Sequence, residues 1–192
     1  MFRNSLNDEK IEEDFPKDKF KFNYLKSWMT KYSQDGYEKY TYYWIAFNIY
    51  YNLSFFKDFP ENSIFTSSEI KRVEYMQEKM GLDVEESSKN FIEKLEREVP
   101  DYWTLLNKFS LVKKKRNGDE EDLNQSFKDA KNDNNYKLAF EKLLDILYVI
   151  RCNLFHGHKK PSDADQNKLL EDSARVLWII LSNLLEPYFL DK

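Results

Sequence analysis

Four glycines and five prolines in 192 residues leave this chain few places to reverse direction sharply. An all-β fold needs a tight turn after nearly every short strand, and such turns rely on residues that adopt positive φ or fix it. Helices joined by polar loops need far fewer. Apolar residues recur at three- and four-residue steps through most of the chain, which is the period of a helix with one buried face. The sequence therefore predicts an all-α fold, a helical bundle with a long antiparallel C-terminal helix pair. No internal repeat shows, which sets solenoids aside. The length fits one domain spanning residues 1–192. With 15 Phe, 13 Tyr and 4 Trp, its core is expected to be built largely from rings.

Phe20, Tyr24, Leu25, Trp28, Met29 and Tyr32 predict a helix over about 18–32, with Asp35-Gly36 as its stop. Tyr40, Tyr43, Trp44, Phe47, Tyr50 and Tyr51 nearly fill more than one face of the next helix and mark it as central. Thr66 with Glu69 reads as a capping box that opens a third helix through Ile70, Val73, Met76 and Met80 to Gly81. Asp83 with Glu86 opens a thinner, peripheral one through Phe91, Leu95 and Val99, and Tyr102 to Phe109 adds a short one. A basic run, Lys113-Lys114-Lys115-Arg116, then gives way to the acidic run from Asp119 to Asp122. With only Leu123 and Phe127 to anchor it, the segment near 113–135 reads as a charged loop or insert. Its basic residues are solvated surface first and RNA-binding candidates second. Phe140 to Leu154 and Leu169 to Tyr188 carry the clearest helical periods, the second started by Ser162 with Asp165, and the turn between them predicts antiparallel pairing.

Cys152 stands alone, so an internal disulfide is excluded, and the first twenty residues are charged where a secretory signal would be apolar. A cytoplasmic location is expected. Asn48, Asn52, Arg175 and Asn183 interrupt the richest apolar segments, so no membrane partner is expected. A net charge of −4 and a pI near 5.4 argue against a broad basic surface that coats nucleic acid and leave room only for a local basic site.

One residue breaks the pattern. At 100° per residue, Phe140, Leu144, Leu147, Leu154 and Phe155 fall within about 60° of Arg151, which puts a guanidinium in the middle of an apolar stripe. An isolated arginine there would be read as snorkelling to solvent or pairing with a neighbouring carboxylate. The next turn, however, holds both histidines of the chain, in His156-Gly157-His158-Lys159-Lys160. Histidine exchanges a proton near neutral pH and arginine presents a fork of donors matched to phosphate oxygens, a pair suited to metal-independent phosphoryl chemistry. A zinc site through Cys152, His156 and His158 is the rival, but the sequence offers no further Cys or His to complete four ligands. No metal and no cofactor are expected. Cys152 as a nucleophile ranks lower still, since a lone cysteine on a buried helix is normally a small core residue.

Arg151-Cys152-Asn153-Leu154-Phe155-His156 resembles the signature of the HEPN superfamily, an arginine and a histidine separated by four to six residues, and His158 fits the longer gap. The surroundings, from Ile150 to Gly157, look like its stand-alone bacterial members, and Trp44-Ile45-Ala46-Phe47-Asn48-Ile49-Tyr50-Tyr51-Asn52 is similar to one of their early helices. The resemblance implies a small all-helical domain acting as a homodimer with facing motifs, a metal-independent endoribonuclease of toxin-antitoxin or abortive-infection type. RNA is the implied substrate and an antitoxin protein a further partner. Arg151 would stabilise the charge on the scissile phosphate. His156 would help the 2′-hydroxyl attack or protonate the leaving oxygen, leaving 2′,3′-cyclic phosphate and 5′-hydroxyl ends. Asn153 and His158 are supporting candidates, and Lys159, Lys160, Lys113, Lys114, Lys115 and Arg116 are RNA-binding candidates. The sequence departs from the family at Cys152, where a polar residue often follows the arginine; Asn153 is one position later. The alternative function is a non-catalytic module that binds RNA, a nucleotide or a partner protein through the same cleft.

Geometry alone favours His158 over His156. On an unbroken helix His158 projects about 20° from Arg151 and His156 about 140° away. Gly157 argues the other way, because a glycine at a helix end takes the chain out of regular rotation after Phe155. His156 then sits at the helix C-terminus, where the dipole favours its protonated form. His156 is therefore the expected catalytic histidine.

Overall fold

The structure, a computed structural model, describes residues 6–60, 71–72, 74–76, 85–114, 118–155 and 163–189. These residues form an all-α bundle with one small two-stranded sheet. In chain order the elements are α1 (Asp8–Asp14), α2 (Lys19–Met29), α3 (Gly36–Asp58), α4 (Glu85–Glu98), α5 (Tyr102–Leu106), β1 (Val112–Lys114), β2 (Glu120–Asp122), α6 (Leu123–Asn132), α7 (Tyr136–Phe155) and α8 (Ala164–Leu185). A short 3-10 turn, Glu186–Tyr188, follows α8. Among the described residues no helix is long and apolar enough to cross a membrane.

α3 is the central element, and its sequence explains why. Tyr40, Trp44, Phe47 and Tyr51 recur at three- and four-residue steps and are all buried, with Ala46, Leu53 and Phe55 buried on other sides of the same helix. Asp35 caps its start by accepting from the Glu38 amide at 3.0 Å. Asp35-Gly36 therefore opens α3 rather than ending the helix before it. Gly36 lies against the backbone of α8: a Cβ placed on it would stand 3.0 Å from both the Asn167 carbonyl oxygen and the Glu171 amide nitrogen. Lys39 faces Glu171 across 3.9 Å, and the Tyr43 and Trp178 rings meet with centroids 5.3 Å apart. Numbers rise together along both helices, so α3 and α8 run parallel.

The closest backbone partner of α8 is thus α3, and that of α7 is α6. α3 connects the last two long helices, because Tyr40 donates its hydroxyl to the Leu147 carbonyl of α7 at 2.5 Å and Trp44 packs on Tyr148. α8 is capped by Asp163, which accepts from the Gln166 amide at 3.0 Å, one residue later than the sequence signal at Ser162. Ser162 itself lies outside the described residues, as do Thr66, Glu69, Val73, Met80, Gly81 and Asp83. Residues 71–72 and 74–76 are helical, with Met76 buried. α4 buries Ile92 and Leu95 beside α7, with Val99 buried just past its end, a deeper seat than the peripheral one expected.

The segment near 113–135 is not a loop. β1 and β2 pair antiparallel with Val112 opposite Asp122, Lys113 opposite Glu121 and Lys114 opposite Glu120. Gly118, at φ +90°, lies in the turn between them. Lys113 and Lys114 of the basic run thus face Glu121 and Glu120 of the acidic run across two strands, an arrangement that stabilises cross-strand pairs. α6 follows at once, capped by Asp122, which accepts from the Asn124 and Gln125 amides. Leu123, Phe127 and Ala130, at four- and three-residue steps, are buried against α7, and Ala130 is the anchor the sequence reading lacked. Asn134, at φ 57°, closes α6 in the left-handed conformation asparagine tolerates.

α2 turns inward only part of the stripe expected, since Leu25 and Met29 are buried and Trp28 packs against the core while Phe22 takes the place of Phe20 and Tyr24. Phe22, Leu25 and Met29 are buried, whereas Phe20 and Tyr24 are more than half exposed and Tyr32 more so. α1 carries a single buried apolar residue, Ile11, and is held by polar contacts instead. Asp14 at its end accepts from Lys57 at 2.8 Å and from the Tyr188 hydroxyl at 3.1 Å, and Lys10 lies 3.2 Å away. One carboxylate therefore ties α1 to the end of α3 and to the turn after α8.

Candidate functional site

Arg151 lies in the last turn of α7. Phe140, Leu144, Leu147 and Leu154 of its stripe are buried, while Phe155 is half exposed. Arg151 itself is intermediate in exposure, as are Cys152 and Asn153. Its guanidinium carbon is 5.1 Å from the centroid of Phe155 and 6.0 Å from that of Tyr148. These rings stand four residues after and three before it, the spacing that brings side chains together on a helix. Both lie within the range where a ring face attracts a cation, and that attraction strengthens as water is excluded. Nη1 also approaches Cys152 Sγ at 3.9 Å.

The aromatic bed under Arg151 continues into α3. Tyr148 packs on Trp44 with centroids 6.1 Å apart, and Trp44 stacks on Tyr40 at 6.3 Å. Burial pushes the Tyr40 hydroxyl well above the ordinary tyrosine range, with nearby Tyr102 and Cys152 adding to the rise and Arg151 opposing it. Tyr40 is therefore a fixed neutral donor. The carbonyl it binds, Leu147, is the one to which a regular helix directs the Arg151 amide, so the tyrosine braces the turn that carries the arginine. The first of the two sequence segments singled out above, 44–52, thus packs through Trp44 on Tyr148, which stands two residues before the second, 150–157. Tyr148 and Tyr40 were not among the expected site residues. The signal for Tyr148 was its place three residues before Arg151; nothing local marked Tyr40.

His156, His158, Lys159 and Lys160 lie outside the described residues, as do Lys115 and Arg116. Among the described residues no group of three or more His, Cys, Asp or Glu side chains is gathered to hold a metal ion.

Lys113 is engaged inside the fold. Its ammonium lies 2.7 Å from Asp145 Oδ1, and the Asp145 side chain is only 7% exposed. Lys142 joins the same network, 2.8 Å from Glu121 and 3.9 Å from Asp145. The network fastens the hairpin to α7, so Lys113 does not offer a free charge to a polyanion. Lys114 is exposed and stands 4.0 Å from Glu120. Asp145 precedes Arg151 by six residues, about 9 Å along the axis and some 120° away in projection, which puts the two sites on different sides of α7.

Comparison with known proteins adds no relative: no family model, no curated protein and no solved structure matches the chain.

Proposed function

We propose that the chain is a metal-independent endoribonuclease whose site is the end of α7, with Arg151 and His156 as its catalytic pair. The observation that carries this reading is the setting of Arg151, a guanidinium against Tyr148 and Phe155 in a turn braced by Tyr40. Aromatic faces hold a guanidinium by its plane, and a guanidinium meets phosphate oxygens through its N–H edges. The exposed half of Phe155 offers a surface on which an unstacked base can lie.

In this reading His156 takes the proton of the 2′-hydroxyl as that oxygen attacks phosphorus. The bond to the 5′-oxygen breaks, and a protonated histidine, from the same chain or from a facing copy in a homodimer, returns a proton to the leaving oxygen. Arg151 bears the negative charge that builds on the non-bridging oxygens. Asn153 and His158 support the pair, and Lys159 and Lys160 draw in the backbone. A toxin or anti-phage role with an antitoxin partner follows from the resemblance to HEPN proteins.

The test is incubation of the purified protein with mixed RNA in the presence of a chelator. Cleavage is expected to persist and to leave 2′,3′-cyclic phosphate ends, and Arg151→Ala and His156→Ala are each expected to abolish it with helical content unchanged. Absence of cleavage at any protein concentration would favour the second reading, a non-catalytic module binding RNA, a nucleotide or a partner protein. The inward ion pair of Lys113, which removes one cation from an already acidic surface, supports that alternative.

A further inference from the structure

α2 turns Phe22, Leu25 and Met29 to the core, and on a regular helix Phe20, Tyr24 and Ser27 fall within about 60° of one another on the opposite side. Phe20 and Tyr24 are 56% and 60% exposed, so burial within the chain does not account for two large rings there. They meet edge to face, with centroids 6.2 Å apart and planes at 86°. The charge around them departs from that of the chain as a whole. Residues 17–31 hold five lysines and a single acid, Asp18, whereas the full sequence carries −4. Carboxylates answer two of the five: Lys19 lies 2.9 Å from Glu12 and 3.1 Å from Asp8, and Lys21 lies 2.6 Å from Asp18. Lys31 differs. Its ammonium sits 4.8 Å from the Trp28 ring centroid and 4.5 Å from that of Tyr42, and neither it nor Lys17 makes an ion pair among the described residues. Lys17 before α2 and Lys31 after it therefore bracket the ring pair with positive charge that no ion pair takes up.

Exposed rings between cations suit a strand whose bases are unpaired and whose phosphates run beside them. A base stacks on any ring face, and lysine meets phosphate as a point charge. Other occupants fit less well. Two rings supply far less than the roughly 800 Å2 that each partner gives to a stable protein interface. A helix lying on a membrane needs a broad apolar face, and that of α2 is turned to the core. We propose that the outer face of α2 binds single-stranded nucleic acid, with bases stacked on Phe20 and Tyr24 and phosphates drawn in by Lys17 and Lys31. This is the kind of local basic site that an acidic chain leaves room for. It concerns binding and not cleavage, and is independent of the ribonuclease reading.

Fluorescence anisotropy of a labelled 2′-O-methyl adenosine strand of about twelve nucleotides tests it, within the range of strand lengths such surfaces cover. That strand lacks the 2′-hydroxyl needed for cleavage, and an abasic strand of equal length carries the phosphates without the bases. The expected result is saturable binding of the adenosine strand to the full chain at low salt. Binding should be at least tenfold weaker for the abasic strand, and at least tenfold weaker for the adenosine strand when Phe20→Ala is combined with Tyr24→Ala. If that variant does not fold, Phe20→Leu with Tyr24→Leu keeps apolar bulk and removes only the rings. Arg151→Ala is expected to leave the ring-dependent binding in place, which separates this face from the end of α7. Equal binding of the two strands, no loss in the ring variants, or no binding of either strand overturns the proposal. Vesicles containing phosphatidylserine that bind the wild type but not the ring variants, in the absence of strand binding, would assign the face to a membrane surface instead.

Discussion

Replacing Gly36 by alanine separates local helix preference from tertiary packing, because the two predict opposite signs. Gly36 is the first residue of α3, and alanine is the better helix former by up to about 1 kcal/mol in a helix interior, less in a first turn. Propensity alone therefore makes Gly36→Ala neutral or stabilising. The structure places the added methyl 3.0 Å from Asn167 O, 3.0 Å from Glu171 N and 3.3 Å from Glu171 Cα. All three are backbone atoms of α8, so no rotamer change relieves the contact and the parallel helices must move apart by a few tenths of an ångström. Overpacking of this kind costs about 1–3 kcal/mol. The net expectation is a loss of about 1–2 kcal/mol, or a Tm lower by about 2–8 °C for a chain of this size. Urea and thermal unfolding followed by circular dichroism at 222 nm measure it. Thr41→Ala, in the same helix, is the control and is expected to stay within about 0.5 kcal/mol. A Gly36→Ala protein as stable as the wild type would show that the close approach of α3 and α8 is wrong.

Asp145→Ala is expected to cost about 2 kcal/mol by urea denaturation, since it removes the buried acceptor shared by Lys113 and Lys142. The same variant should leave any RNA cleavage rate unchanged at temperatures where it is folded. Asp14 is held below the ordinary carboxylate range, chiefly by the Lys57 ammonium and further by Lys10 and Tyr188, against an opposing push from burial. Its stabilisation is therefore complete above the unfolded value near 3.8 and is lost as pH falls through the lowered folded value. The stability gap between wild type and Asp14→Asn should be constant above about pH 5 and close below about pH 4 in a pH series of urea melts. In the ribonuclease reading, His156→Ala is expected to lose at least tenfold more activity than His158→Ala on one RNA substrate, roughly 1.4 kcal/mol in barrier. A larger loss at His158 would transfer the role to that residue.

Where a helix buries a regular stripe, the sequence was readable. The long C-terminal helices and the aromatic centre of α3 follow from spacing alone, because burial there repeats with the turn of the helix. Asp35-Gly36 was ambiguous, since an aspartate can cap a start and a glycine can end a helix; contact with α8, distant in sequence, settles which. The hairpin was hidden by its charge. Strands of three residues are too short to show alternation, although Asn117-Gly118 between runs of opposite sign was a usable turn signal. α1 was invisible to periodicity because Asp14 and its partners, not an apolar face, hold it. In the candidate site the misplaced Arg151 was legible from its own helix, whereas Tyr40 reaches it from an element more than one hundred positions earlier and could be found only in three dimensions.

The parallel seat of α3 on α8 also sets an order of events during synthesis. α6 and α7 are joined by a short turn and can close on each other as soon as both have left the ribosome, whereas α3 must wait for α8, more than one hundred residues later, to emerge. Until then the face that carries Tyr43 stays open to water, and closing the contact pays the loop entropy of everything between. A nascent chain halted before α8 therefore presents an aromatic helix without its principal cover, the kind of surface that chaperones hold and that aggregates without them.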